Sequence, residues 1–395
     1  MDLKQKIKNI AQKYAPIFVA VRRQLHQNPE LSFKEYHTSS YLKEQLLLMG
    51  IDQLETVAKT GLLVSIKGIK SGKTVLLRAD MDALPIIEQN EVAYASKNKG
   101  VMHACGHDVH MSSLLLTAKI LSEIRDSFYG TVKLLFQPGE EVFPGGASLV
   151  LQETAYKSLK NVPHIAQHVM PNIPVGKVGF RPGYFMASMD EIFLKVIGKG
   201  GHGASPEDTI DPILIASHII IAAQQLVSRM SSPKTPTVLS FGKIIGEGAI
   251  NIIPNEVYIE GTFRTLDETW RKVALEKFTK LVKSIAEGMG AKCIVTINHG
   301  FPNLKNDEDL TLDIKNSAIS YLGKENVMDL DVWMASEDFA YYSHLHPSCF
   351  YLLGTGNEAL NINSGLHTST FDIDESAIEI GGGLMAWSAI ETLNR

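Results

Sequence analysis

The chain has 395 residues, of which 45% are hydrophobic and 21% are charged, and its formal net charge is -5. This composition is typical of a globular protein with one large or two medium domains, and it excludes a disordered or collagen-like chain. The negative balance and the lack of runs of Lys and Arg argue against nucleic-acid binding.

Cysteine content and hydropathy bear on the cellular compartment. The chain has three cysteines, Cys105, Cys293 and Cys349. A small and odd number of cysteines argues against a disulfide framework and favours a reducing environment. The N-terminal residues lack the apolar core of a signal peptide, and no apolar run approaches the ~20 residues of a membrane span. We therefore expect a cytoplasmic protein with no membrane partner.

Helices and strands alternate in the first half of the chain. Helical periodicity covers about the first 60 residues, and Ser32 with Glu35 predicts a capping box for the second helix. Further elements follow in this order: strands 62–66 and 75–78, helix 112–124, strand 132–136, helix 147–154 and strand 165–169. This alternation predicts a mostly parallel sheet covered by helices.

A different pattern begins near residue 187. The order strand 191–197, helix 212–229, strands 237–245 and 256–264, helix 268–287 and strand 293–297 is β-α-β-β-α-β, as in ferredoxin-like domains. We predict an α/β fold with two domains, in which 187–299 form an inserted domain and 1–186 with 300–395 form a discontinuous one. Helices at 309–322, 337–344 and 375–390 and a strand at 350–353 would complete the latter.

Side chains that commonly bind metals are concentrated in residues 101–111. The candidates are Cys105, His107, Asp108 and His110. Gly106 permits a tight bend, so that the thiol and the imidazole on either side of it can reach one ion. Taken singly, each residue is more simply explained as a buried structural side chain, but concentrated Cys, His and Asp mark sites.

Three further segments place acidic or imidazole side chains where predicted strands end. Glu140 and Glu141 follow an apolar strand, and as neighbours on an extended chain they point to opposite sides and can have different functions. His168 ends another strand and His367 lies near the C-terminus. Sites in open α/β sheets gather at such ends. The predicted metal ligands are Cys105, His107, Glu141, His168 and His367.

Eight segments, in order along nearly the whole chain, resemble those of a known enzyme family. They are residues 23–32, 77–85, 103–110, 138–141, 200–206, 251–255, 336–339 and 367–372. The family is that of hippurate hydrolases, N-acyl-amino-acid amidohydrolases and auxin-conjugate (IAA-amino acid) hydrolases, related to aminoacylases and glutamate carboxypeptidase. The resemblance implies a two-metal hydrolase with a separate lid and dimerisation domain.

The resemblance also implies roles for residues of the discontinuous domain. The five predicted ligands would hold two divalent ions, zinc, manganese, cobalt or nickel, which acidify a water molecule. Glu140 would be the general base, and Asp82 would orient a metal-bound imidazole. Asp80 stands where the wider family has a histidine ligand, and its role stays open with those of Asp108 and His110.

Three residues of the predicted insert have implied roles as well. His202, in a glycine-rich loop without P-loop spacing, would reach the active site of the other subunit of a homodimer and stabilise an oxyanion. Asn255 and Arg264 would contact the substrate, Arg264 through a bidentate fork to a carboxylate. A solvated surface position is the alternative for Arg264.

The predicted reaction is metal-dependent hydrolysis of the amide bond of N-acyl amino acids, which releases a carboxylic acid and an amino acid. A dipeptidase or carboxypeptidase acting on short peptides is an alternative, because a peptide bond poses the same chemistry. A non-catalytic metal-binding protein on the same fold is a third possibility, although it would have no reason to keep Glu140. The acyl group, the amino acid and the metal stay open.

Overall fold

A computed structural model describes residues 2–395 of the chain. The α-helices are α1 (Leu3–Gln27), α2 (Tyr36–Leu48), α3 (His107–Glu123), α4 (Gly146–Val150), α5 (Thr154–Lys157), α6 (Pro212–Ala223), α7 (Glu268–Gly288), α8 (Glu308–Leu322), α9 (Ala340–Ser343) and α10 (Ala377–Asn394). The strands are β1 (Leu54–Val57), β2 (Gly61–Lys67), β3 (Lys70–Asp80), β4 (Tyr129–Gln137), β5 (His164–Pro174), β6 (Val178–Phe180), β7 (Gly183–Met186), β8 (Ser188–Ile197), β9 (Gly201–His202), β10 (Thr237–Ile245), β11 (Ile252–Ile253), β12 (Glu256–Thr265), β13 (Lys292–His299), β14 (Leu304–Asn306), β15 (Val327–Asp329) and β16 (Ser348–Gly356). The chain divides into two compact units: the first comprises the residues up to Gly183 with 305–331 and 338–395, and the second comprises 184–304 with 332–337.

A mixed sheet of eight strands forms the centre of the first unit. Its order is β1-β2-β4-β3-β5-β16-β6-β15. The central strands β4, β3, β5 and β16 are parallel to one another, whereas β1 and β2 add an antiparallel edge. Helices α3 and α10 pack against this sheet, and α1 packs on both of these helices. Strand β16, which contacts α8 and α10, is buried along its whole length. Continuous apolar strands such as these are typical of a sheet covered on its faces.

Helix α3 begins earlier than the sequence predicted. Its first residue is His107 rather than residue 112, because the carbonyl oxygen of Gly106 already accepts a hydrogen bond from the backbone N–H of His110 at 3.2 Å. The apolar periodicity on which the prediction rested starts only after this polar first turn. Helix α3 therefore carries His107, Asp108 and His110 at its buried N-terminus.

The second unit contains an antiparallel sheet in the order β10-β12-β8-β13. Strand β8 alternates between buried and partly exposed residues, as expected when one face of a sheet is covered. Helices α6 and α7 supply the cover, and Ile219 and Phe278 lie in the shared apolar core. The strand order and the two helices are ferredoxin-like. The predicted α/β fold class with an inserted α+β domain is confirmed.

The second unit also includes residues 332–337, which the sequence analysis assigned to the other domain. Trp333 N–H donates to the carbonyl of Phe185 at 2.8 Å, and Ala187 N–H donates to the carbonyl of Ala335 at 2.9 Å. These backbone hydrogen bonds hold the segment beside the start of the second unit. A short segment without helical or strand periodicity gives no sequence signal of such pairing, so the predicted boundaries at 187 and 299 missed it.

One segment, Pro212–Met230, is long and apolar enough to cross a membrane by length and composition alone. Helix α6 forms its first part and buries Ile215 and Ile219 in the core of the second unit. Ile221, in contrast, is 73% exposed. A single helix of this kind is weak evidence of a membrane span, and we interpret it as a core element of the second unit with one uncovered apolar face.

Candidate metal centre

The predicted site residues of the first unit lie where its parallel strands end. Asp80 is the last residue of β3 and pairs in register with Gln137, the last residue of β4. Glu140 and Glu141 follow the end of β4 after two intervening residues. The sequence analysis placed His168 at a strand end, whereas β5 continues to Pro174; His168 lies two residues beyond Ala166, which pairs with Arg78 of β3. The carboxyl ends of adjacent parallel strands form one edge, which is the usual position of sites in α/β sheets.

The structure brings all five predicted ligands together. Donor atoms of Cys105, His107 and His168 lie within 4.8 Å of one another, and those of Cys105, Glu141 and His367 form a second group with the same limit. Cys105 Sγ is 3.4 Å from His168 Nε2 and 3.2 Å from His367 Nε2. The thiol therefore belongs to both groups.

Asp82 fixes the turn that carries the two adjacent glutamates. Its Oδ1 accepts a hydrogen bond from the backbone N–H of Glu140 at 3.0 Å, and its Oδ2 accepts one from that of Glu141 at 2.9 Å. Glu140 is only 6% exposed, and its carboxylate lies within 4.8 Å of donor atoms of His107 and Glu141. One buried carboxylate thus determines the position of both glutamates.

The predicted capping box at Ser32 and Glu35 is wrong. The Ser32 hydroxyl donates to Asp82 Oδ2 at 2.6 Å, and Glu35 makes no side-chain cap on α2. Glu35 instead accepts a hydrogen bond from the backbone N–H of Gly139 at 2.9 Å. Glu35 therefore supports the turn at 138–141 directly, and Ser32 supports it through Asp82. The turn is distant from both residues in sequence.

Carboxylates outnumber compensating charges around His107. Its Nδ1 lies 3.3 Å from Asp82 Oδ1 and 3.7 Å from Asp80 Oδ1. Burial lowers the pKa of His107, but the negative charges of Asp80, Asp82 and Glu141 outweigh burial and raise this pKa to about 10. Burial also raises the pKa of the Cys105 thiol, and Glu141 adds to that shift.

This donor set fits divalent metal ions. Within residues 2–395, His107 Nε2 and Glu141 Oε1 are buried side-chain atoms without a hydrogen bond, although buried polar atoms are normally bonded. Thiolate, imidazole and carboxylate donors together are typical of zinc and related ions. Positive charge at this place would offset the carboxylates and favour the thiolate over the thiol.

Asp80 and His110, whose roles the sequence left open, form a buried pair. His110 Nε2 accepts a hydrogen bond from the backbone N–H of Val169 at 2.9 Å, so Nδ1 is the nitrogen that donates to Asp80 Oδ1 at 2.5 Å. Arg78 Nη1 donates to Asp80 Oδ2 at 2.6 Å, and Arg78 Nη2 donates to Asp338 Oδ1 at 2.8 Å.

Arg78 was missed by the sequence analysis. It is 1% exposed and interrupts the apolar run of β3, which is the one sequence signal that could have identified it. A charged side chain in a strand covered on both faces needs a buried partner of opposite charge. Arg78 therefore supplies the countercharge for Asp80 at the edge of the candidate site.

The backbone adopts the left-handed conformation at two positions beside the donors. His367 has a φ of +60° and Gly106 a φ of +78°; a non-glycine residue in this region is uncommon and is found preferentially at functional sites. The N–H of His367 donates to the carbonyl of Ala104 at 2.8 Å. This bond ties the C-terminal ligand to the loop that contains Cys105.

His202, Asn255 and Arg264 belong to the second unit. His202 is exposed and its Nδ1 accepts a hydrogen bond from the N–H of Ala204 at 3.1 Å. Asn255 Oδ1 accepts one from the N–H of Gly200 at 3.0 Å and so braces the glycine-rich loop. Arg264 is partly buried, and Nη1 donates to the carbonyl of Met334 at 3.0 Å. Their catalytic and substrate-binding roles stay predictions.

A cysteine, histidine and carboxylate donor set with a separate buried glutamate, at the strand ends of a covered α/β sheet, defines a metal-dependent hydrolase. Residues 76–387 match the peptidase family M20/M25/M40. The chain belongs to this family.

Relatives of the chain include both acyl-amino-acid hydrolases and peptidases. The chain is 40% identical over 360 residues to an N-acetyl-L-cysteine deacetylase of Bacillus subtilis, which covers 91% of this chain and 84% of the relative. It is 42% identical over 306 residues to an N-acyl-L-amino acid amidohydrolase of Geobacillus stearothermophilus, and this match covers 77% of this chain and 82% of the relative. It is 37% identical over 400 residues to thermostable carboxypeptidase 2 of Saccharolobus solfataricus, covering 100% of each.

A solved structure is similar over nearly the whole chain. The YXEP protein of Bacillus subtilis, described as a dinuclear metal binding peptidase from the M20 family, superimposes with a TM-score of 0.82 at 32% sequence identity. The match covers 97% of this chain and 99% of that protein. Dinuclear metal binding is thus a property of this family.

We predict that Gly106→Ala destabilises the protein more than Gly100→Ala does. The φ angle is +78° at Gly106 and +85° at Gly100. A Cβ at Gly106 would lie 2.4 Å from Val169 Cγ2, whereas a Cβ at Gly100 meets nothing within 4 Å. An alanine in the left-handed conformation costs about 1 kcal/mol in both variants. In Gly106→Ala the overlap with a packed side chain adds about 1–3 kcal/mol. Urea denaturation of both variants without added metal measures the difference. Equal losses of unfolding free energy would contradict it.

Proposed function

We propose that this protein hydrolyses the amide bond of N-acyl amino acids in a metal-dependent reaction that releases a carboxylic acid and an amino acid. The observation that carries the proposal is the grouping of five metal-binding donors beside the buried carboxylate of Glu140, in a chain of the peptidase family M20/M25/M40. Relatives named for the hydrolysis of acyl amino acids support this substrate class.

In this proposal Cys105, His107, Glu141, His168 and His367 hold two divalent ions. Their thiolate and imidazole donors suit zinc, cobalt or nickel better than magnesium, and the availability of metals in the cell can place manganese there. When bound, such ions polarise the amide carbonyl and acidify a water molecule. Asp82 has the position of an orienting residue, because its Oδ1 lies 3.3 Å from His107 Nδ1, and such carboxylates fix the tautomer and direction of a metal-binding imidazole.

Glu140 accepts the proton of the attacking water and returns it to the leaving nitrogen. Two observations support this role. The carboxylate of Glu140 is buried beside the donor groups, and Asp82 holds its backbone in place. Glu141 has a different environment, because its Oε1 is 3.3 Å from His367 Nε2 and 3.9 Å from His107 Nε2. The neighbouring glutamates can therefore separate proton transfer from metal binding.

The predicted homodimer would form through the second unit. Strand β10 is an edge of the four-stranded sheet, and apolar side chains on β10 and α6 are uncovered: Ile213, Leu214, Ile221, Ile244 and Ile245. An exposed edge strand with an apolar surface beside it favours pairing with another copy of the chain. By the resemblance, His202 would then act in the other subunit's site, and Asn255 and Arg264 would contact the substrate. A cytoplasmic location stays a prediction.

The substrate class is tested by comparing hydrolysis of N-acetyl and N-benzoyl amino acids with that of dipeptides and N-blocked dipeptides. The metal content of the purified protein is measured in parallel by elemental analysis. We expect kcat/KM to be at least about tenfold higher for the N-acyl amino acids, because a pocket for an acyl group leaves a free amine without a partner. A higher kcat/KM for free dipeptides would favour a dipeptidase. A higher kcat/KM for N-blocked dipeptides would favour a carboxypeptidase.

Glu140→Gln should lower kcat by about a hundredfold to ten-thousandfold while the metal content stays at the wild-type value. The amide keeps the shape of the side chain but loses its basicity. Glu141→Gln is the matched control, since the same change one residue later should reduce metal content as well. Loss of metal from Glu140→Gln would show that the assigned division of labour between the two glutamates is wrong.

The shared-site proposal predicts complementation between two inactive variants. Glu140→Ala and His202→Ala homodimers should each be nearly inactive, and unfolding and refolding them together should restore activity. Each mixed dimer would contain one site with Glu140 from one chain and His202 from the other. Mixed dimers that are present by mass spectrometry and inactive would place His202 in its own subunit's site or outside catalysis.

A further inference from the structure

A second buried arginine lies behind the candidate metal centre. Arg22 is in α1 and is 0% exposed. It follows Phe18 by one helical turn on the buried face of the helix, where an apolar residue would be expected. Its guanidinium makes hydrogen bonds to three carboxylates: Nε donates to Asp108 Oδ2 at 2.7 Å, Nη2 donates to Asp372 Oδ1 at 3.2 Å, and Nη1 donates to Glu375 Oε1 at 3.5 Å.

Two of these carboxylates, those of Asp108 and Asp372, belong to segments that carry different predicted ligands. Asp108 follows His107 in the first turn of α3. Asp372 ends the segment 367–372, which begins with His367. Arg22 therefore connects two parts of the chain that are far apart in sequence and that both contribute to the candidate metal centre.

Neighbouring groups hold each carboxylate in place. His26 Nδ1 lies 2.8 Å from Asp108 Oδ2, and the Tyr94 hydroxyl donates to Asp372 Oδ2 at 2.7 Å. The Arg22 guanidinium also lies over the Tyr94 ring, with Cζ 4.9 Å from the ring centre. The orientation of the guanidinium is thus fixed on several sides.

A planar guanidinium suits this position for a geometric reason. Its N–H groups point in fixed directions, so it can bond to two carboxylates and set the distance between them. The side chain of Asp108 is 0% exposed and that of Asp372 is 18% exposed, and a buried carboxylate without its cation is strongly destabilised. A lysine keeps the charge but places it at one point, and it cannot make the same pair of directed bonds.

We propose that Arg22 is a positioning residue for the metal centre. By bonding to Asp108 and Asp372 it sets the separation between the first turn of α3 and the segment 367–372, so that Cys105, His107 and His367 reach the same pair of ions. The inference rests on the proposed function, because it requires that metal ions bind to these residues. Groups hydrogen-bonded directly to metal ligands typically contribute tenfold to a hundredfold to metal affinity, and Arg22, which acts one contact further out, is expected to contribute at the lower end of this range.

The test compares Arg22→Lys with Arg23→Lys in the full-length chain. Arg23 is the next residue and its side chain is 48% exposed. It shares Glu375 with Arg22 and bonds to that carboxylate at 2.8 Å through Nε, so Arg23→Lys makes the same change beside Arg22 while the bonds of Arg22 to Asp108 and Asp372 stay in place. Protein stripped of metal is titrated with Co²⁺, and the cobalt–thiolate absorption reports the environment of Cys105. Circular dichroism establishes that each stripped variant is folded at the temperature of the titration.

We expect Arg22→Lys to bind Co²⁺ at least about tenfold more weakly than the wild type and to show an altered cobalt–thiolate band. Arg23→Lys should match the wild type in both. A role limited to stability would lower the unfolding temperature of Arg22→Lys but leave the affinity and spectrum of the folded variant unchanged. That result would overturn the inference.

Asp372→Asn provides the test if Arg22→Lys does not fold. The amide keeps the shape of the side chain and removes the charge paired with Arg22, so Co²⁺ binding should again weaken by about tenfold or more. Wild-type affinity in folded Asp372→Asn would overturn the inference in that case. A wild-type chain that binds no Co²⁺ would instead refute the metal centre of the proposed function, and the inference with it.

Discussion

The arrangement of the candidate site depends on one buried carboxylate, that of Asp82. Its two oxygens accept hydrogen bonds from the backbone N–H groups of Glu140 and Glu141, and Oδ1 lies 3.3 Å from His107 Nδ1. A single group thus relates the turn after β4 to the first turn of α3. Because the site follows the strand ends of a rigid sheet, small displacements of Asp82 would move all three of these side chains at once.

Negative charge is the main energetic constraint on this region. Asp80, Asp82 and Glu140 are buried, and burial of an ionised carboxylate is costly unless a cation or several hydrogen bonds offset it. Arg78 bonds to Asp80, and the negative charges raise the pKa of His107 to about 10. Divalent ions at the five donors would offset the remaining charge. Metal binding and the stability of this part of the fold are therefore linked.

Two buried arginines, Arg78 and Arg22, each offset the negative charge of carboxylates in this region. Arg78 bonds to Asp80 and Asp338, and Arg22 bonds to Asp108 and Asp372. In each case the guanidinium connects a carboxylate near the donor groups to one that is distant in sequence. Each arginine lies on an apolar, buried face of its element. Such positions are costly unless the geometry of the ion pair is good, which is why lysine is a poor substitute there.

The sequence by itself determined the types of element, the ferredoxin-like order of the second unit and the donors that would meet, because periodicity reports local burial and chemistry-bearing residues follow predicted strands. Only the tertiary structure decided the partners. Ser32 and Glu35 form an ordinary capping pattern in sequence, yet they bond to Asp82 and to Gly139. Asp80 pairs with His110, and α3 starts at His107. A hydrogen bond between residues far apart in sequence leaves no periodic signal, so its partners are fixed only when the packed elements bring them within about 3 Å.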